Sequence, residues 1–134
     1  MVSIKNCPNP EAMEFIQFCM SRFNFTYPIE LEFKKKFRYN GCWYPYKKKV
    51  VVNLNQYIPS LLFHTIAHEI RHVEQDMYPL ITSADLLPRE RLLKNAKERD
   101  ANVTARKWIA EYISFKSGGR CSPDNYEFNL SGVN

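Results

Sequence analysis

Apolar residues recur at three- and four-residue intervals in three stretches of the chain and alternate with polar residues in a fourth, which separates helical from extended segments. Ala12, Phe15, Ile16, Cys19 and Phe23 form one apolar face behind Pro8 and Pro10, and the spacing predicts a first helix over about 10 to 23. From Ile29 the pattern becomes alternation, with Leu31, Phe33, Phe37 and Tyr39 set against Glu32, Lys34, Lys36 and Arg38. This reads as a strand over 29–39 that stops at Asn40-Gly41, a dipeptide suited to a tight hairpin turn. The return segment from Cys42 to Tyr46 is interrupted by Pro45, and Lys49 to Leu54 (KVVVNL) has the β-branched, apolar character of a more buried strand.

Beyond the strands, Leu62, Phe63, Ile66, Ala67, Ile70 and Val73 repeat at helical spacing between Pro59 and Pro79, so a second helix is expected over about 59 to 77. It carries all three histidines of the protein. Pro88 is placed to open a long third helix, with Leu92, Leu93, Ala96, Val103, Trp108, Ile109 and Tyr112 as apolar positions, ending before Gly118-Gly119. The segment from Arg120 to Asn134 is polar. The expected fold is α+β: an N-terminal helix, a small twisted and mainly antiparallel sheet, and two further helices. At 134 residues and 45% hydrophobic, the chain suits a single domain, 1–134, with one core.

No run approaches the roughly 18 apolar residues of a membrane helix, and Met1 to Pro10 lack the pattern of a signal peptide, so a cytoplasmic protein is expected. The cysteines Cys7, Cys19, Cys42 and Cys121 show no paired spacing and read as free thiols.

The motif with the most chemical content is His68-Glu69-Ile70-Arg71-His72, an HExxH. Two histidines four residues apart on a helix stand on one face, about 6 Å apart along the axis, and can meet at one tetrahedral zinc. Glu69 then points beside the metal, where a carboxylate can take a proton from an activated water and later pass it to a leaving amine. His64 continues the four-residue spacing but lies about 12 Å along the axis from His72, too far for all three to share one ion. With no histidine downstream of His72, the third ligand must be an acid or a cysteine. Glu98-Arg99-Asp100-Ala101-Asn102 on the third helix offers two acids. Glu98 shares a stripe with Ala101, Ala105, Trp108 and Tyr112, where small residues permit close helix approach, whereas the Asp100 stripe of Lys97, Thr104, Lys107 and Glu111 looks solvated. Glu98 is therefore the preferred ligand.

Taken together, VVNL, AHEIRH and the E-x-x-A-N of Glu98 to Asn102 resemble a minimal gluzincin-type zinc metallopeptidase of the zincin class, similar to the compact cores of ImmA/IrrE-type proteases and of small phage-encoded metallopeptidases. The resemblance spans residues 49 to 116. It implies a zinc ion on His68, His72 and Glu98, Glu69 as general base, a protein or peptide substrate, and a cleft bordered by the strand before the active-site helix. The related pattern has Asp four residues after the ligand Glu. This chain has Asn102, so a contact from there to a ligand histidine would be neutral.

Tyr112 and His64 are candidate donors to a developing oxyanion, with Tyr112 also suited to the core. Arg71 can pair with Glu74 or Asp76. The net charge of +5 gains weight from Lys34, Lys35 and Lys36 and from Lys47, Lys48 and Lys49, which flank the expected turn with Phe37, Tyr39, Trp43, Tyr44 and Tyr46 between them. If the runs face each other across a hairpin, they could hold phosphates and stack bases of single-stranded nucleic acid. The alternative to an enzyme is thus a non-catalytic zincin-fold module binding nucleic acid or an acidic protein. The plainer reading of the lysines is a solvated strand edge that resists aggregation.

Overall fold

The computed structural model describes residues 2–56, 59–79 and 90–118. Its elements run β1 (Val2–Lys5), α1 (Pro10–Met20), β2 (Ile29–Lys34), β3 (Gly41–Tyr44), β4 (Lys49–Asn53), α2 (Pro59–Met77) and α3 (Glu90–Lys116). The fold is α+β, three helices with one four-stranded mixed sheet in the order β1-β2-β4-β3. Asn9 caps α1 by accepting the Ala12 N–H, and Pro10 needs no such partner. The helix stops at Met20, three residues short of the expected end, where the Ser21 hydroxyl and N–H turn back onto Phe18 and Gln17 carbonyls. Expectations for Pro88, Leu92, Leu93, Cys121 and the segment after Gly118 lie outside what is described.

The sheet is mostly parallel, not mainly antiparallel. β1 pairs with β2 and β2 with β4 in parallel, and only β3 runs antiparallel, along β4. Two features of the sequence reading fail for the same reason: β4 is inserted between β2 and β3. Val50, Val51 and Val52 are all buried, so this strand is most stable with a partner on each side. β2 therefore ends at Lys34, and Asn40-Gly41 is not a hairpin turn but the entry into β3. Residues 35–40 form a loop fixed by side chains at and just after the end of β4. Asn53 Nδ2 donates to the Phe37 carbonyl at 3.2 Å, Asn55 Nδ2 to that of Lys35, and Gln56 Nε2 to that of Asn40 at 3.0 Å. The true hairpin joins β3 to β4 through Pro45–Lys48, with Lys48 in the left-handed region at φ 50°. β1 escaped the sequence reading because four residues with two apolar ones carry too little periodicity.

One face of β2, Ile29, Leu31 and Phe33, joins Val50 and Val52 beneath α1 and α2. Phe15 of α1 stacks on Phe63 of α2 with ring centroids 4.6 Å apart. α2 and α3 form the most extensive helix pair, with Ile66, Ala67, Ile70 and Val73 of α2 in one core with Ala105, Trp108, Ile109 and Tyr112 of α3. Ala101 and Ala105 are fully buried, whereas Val103, expected on the apolar face, is 61% exposed. No described helix is long and apolar enough to cross a membrane.

Ala105→Leu forces a branched side chain into the α2–α3 seam and should lower the unfolding free energy by about 1–3 kcal/mol. Val103→Lys should stay within about 0.5 kcal/mol of wild type. Urea denaturation of the two variants checks both.

Candidate metal centre

The apolar face of α2 fixes its rotation on the core, and His64, His68 and His72 consequently stand along its side toward α3. Ala101 lets α3 approach closely, and Glu98, one turn before it, reaches over the two later histidines. His68 Nε2 lies 3.0 Å from Glu98 Oε2, His72 Nε2 lies 3.1 Å from Glu98 Oε1, and the two Nε2 atoms are 3.1 Å apart. These three residues form a potential metal-holding group, each offering one ligand atom within 4.8 Å of the others.

The surrounding hydrogen bonds fix the protons. Gln75 is buried, and its Nε2 donates to the Lys97 carbonyl at 3.0 Å and to Asp100 Oδ2 at 2.8 Å. Both partners only accept, so Gln75 Oε1 is the atom facing His72 Nδ1 at 2.8 Å, and that nitrogen must carry the hydrogen. His68 Nδ1 lies 2.8 Å from Asn102 Oδ1, which likewise accepts. Burial, reinforced by the neighbouring His72, lowers the pKa of His68 and favours a neutral ring. With both Nδ1 atoms turned to amide oxygens, the two Nε2 atoms face each other and a carboxylate, a donor set suited to a cation.

Their spacing fits a metal. Donors at the corners of a tetrahedron with arms of about 2.0–2.1 Å stand about 3.3 Å apart, close to what is seen. Three protein ligands leave one position open, as catalytic rather than structural zinc sites do.

Glu69 lies beside this group and is only 7% exposed. Its carboxyl is pushed up to about 8, chiefly by burial and secondarily by the charge of Glu98. What buries it includes the first residue of β3. A Cβ at Gly41 would lie 2.6 Å from Thr65 Cγ2 and 3.0 Å from Glu69 Cγ, so only glycine lets the edge strand pass this close to α2. Between strand and helices opens a cleft of about 280 Å³ whose wall includes Asn40, Gly41, His64, His68, Glu69 and Asn102.

His64 is thus at the cleft and outside the His68–His72–Glu98 group. Its Nε2 lies 3.2 Å from Asn102 Oδ1, and its buried Nδ1 has no hydrogen-bond partner. Tyr112 is not brought to the site. It is buried against Phe15, Phe18 and Phe63, its hydroxyl donates to Glu14 at 3.0 Å, and fourteen residues of helix, about 21 Å, separate it from Glu98. Asp100 is not simply solvated. Arg71 grips both its oxygens at 2.7 and 3.1 Å and also pairs with Glu74, while Asp76 instead accepts the Trp43 indole N–H. Gln75 was missed by sequence reasoning, although its position three residues after His72 on one helix is a usable signal.

The two lysine runs do not face each other. In the parallel register Lys34 sits opposite Asn53 and Lys49 opposite Glu30, toward opposite ends of β2. Lys49 is held by Glu30 at 3.2 Å and Glu32 at 2.5 Å, and the Lys47 and Lys48 ammonium groups lie over the rings of Tyr44 and Tyr27. No family model, curated protein or solved structure matches this chain.

Gly41→Ala should displace β3 or Glu69 and lower thermal stability, whereas an exposed Gly118→Asn, at φ 68°, should be tolerated; differential scanning calorimetry compares them. Glu69 also gives a pH signature. In the metal-free chain its raised pKa favours the folded state at low pH, and this contribution is lost as pH climbs from 4.5 to about 8. His64 and His68, lowered by burial, act with the opposite sign, but Glu69→Gln retains them. The melting temperature of Glu69→Gln should therefore rise relative to wild type across that window, and a constant difference would contradict the assignment.

Proposed function

We propose that this protein is a zinc-dependent metallopeptidase. The observation that carries the reading is the convergence of two imidazole Nε2 atoms and a carboxylate at 3.0 to 3.1 Å from one another, next to a buried carboxyl and an open cleft. A bound zinc would supply Lewis acidity, making water acidic enough to attack at neutral pH and polarising a carbonyl.

The chain's own residues have distinct tasks. His68, His72 and Glu98 would hold the ion. Glu69 accepts the proton of the attacking water and returns it to the amine nitrogen as the peptide C–N bond breaks. Its burial keeps bulk water from competing, and the ion's positive charge, acting against the burial, favours the carboxylate that the first proton transfer requires. β3 is the sheet's outer strand and borders the cleft at Gly41, whereas β4, the strand before the active-site helix that the resemblance to gluzincins puts there, lies inside the sheet, so a peptide substrate would lie against β3. A module that only binds has no use for a carboxyl at position 69, where burial makes its charged form costly.

The purified chain should take up one zinc per molecule, and His68→Ala and Glu98→Ala should each abolish or greatly weaken that uptake. Glu69→Gln should keep the metal and lose about 10²–10⁴-fold in hydrolysis of fluorescently labelled casein. Metal analysis with the casein assay decides it: near-wild-type turnover by Glu69→Gln would refute the mechanism.

A further inference from the structure

The third ligand presents a difficulty that its own surroundings do not resolve. The Glu98 side chain is 48% exposed, so its placement over the histidines must be set elsewhere. The nearest fixed points are one residue before it, the Lys97 carbonyl, and two residues after it, Asp100. Both accept from the same buried amide, Gln75 of α2. The other end of that amide accepts from the ligand His72. Arg71, one residue before His72, completes the link by gripping Asp100 with two nitrogens.

We propose that Gln75 is the positioning residue of this centre: one side chain both fixes the tautomer of His72 and ties α2 to the stretch of α3 that carries Glu98. The inference rests on the metal site of the preceding reading, not on its hydrolytic chemistry. A carboxamide suits the position because one end must accept and the other must donate twice. A carboxylate there would face Asp100 at 2.8 Å with no proton between them. A thioether would leave the His72 Nδ1–H without an acceptor, freeing the ring to take the tautomer that cannot bind a metal through Nε2. Hydrogen-bond partners of this kind are worth about 10–100-fold in metal affinity.

The test uses the full chain stripped of metal and titrated with zinc against a chromophoric chelator, then with cobalt(II) for its visible absorption. Gln75→Met should bind zinc about 10–100-fold more weakly and show an altered cobalt spectrum, while circular dichroism of the metal-free form stays native. Gln75→Leu, which likewise lacks both the acceptor for His72 and the donor to α3, should behave in the same way. A purely structural role predicts a lower melting temperature with affinity and spectrum unmoved, and that result overturns the proposal. Should Gln75→Met fail to fold, Gln75→Leu decides on the same two readouts. Wild type that binds neither ion would overturn the metal reading itself, whereas tight binding by wild type and Gln75→Met alike removes only this assignment.

Discussion

The close approach of α2 and α3 is the constraint on which the rest depends. Ala101 and Ala105 have no side chain to hold the helices apart, so Glu98 can reach across to His68 and His72. The same seam carries the polar links Arg71–Asp100 and Gln75–Lys97. A larger residue at either alanine would therefore act on stability and on ligand geometry together. Apolar packing sets the distance between the helices, and the hydrogen bonds set the orientation of what meets across it.

A second close approach, of β3 to α2, places the carboxyl of Glu69. Gly41 lets β3 pass against Thr65 and Glu69, which buries the carboxyl and raises its pKa. The edge strand can be there only because β4 lies between it and β2, and β4 takes that position because its three consecutive valines are all buried. The strand order thus reaches the chemistry through one glycine.

The two ligand histidines are each backed by a neutral amide oxygen, Asn102 behind His68 and Gln75 behind His72. Carboxylates in those positions would bring negative charge toward the metal. Neutral partners leave Glu98 as the carboxylate of the potential metal-holding group. Asp100 contributes its charge to Arg71 instead, so the nearby acid is neutralised by an ion pair and not by the metal.

Helix positions and the grouping of His68, His72 and Glu98 were legible in the sequence because both depend on spacing within one element. The apolar period located α2 to the residue, and HExxH on that helix identified His68, His72 and the neighbouring Glu69. The small residues at 101 and 105 favoured Glu98 over Asp100, since close helix approach has a local signature. Strand order had none. Alternation shows that residues 29 to 34 are extended but not which strand lies beside them, so a favourable Asn40-Gly41 turn suggested a neighbour that β4 displaced. Tyr112 followed the stripe of Glu98 faithfully, yet a straight helix carries it some 21 Å away and into the aromatic core. Gln75, Asn102 and Gly41 acquire their roles only across elements, from a donor meeting an acceptor or a missing Cβ meeting a helix. Periodicity along a chain records which way a side chain points; the tertiary structure decides what it meets there.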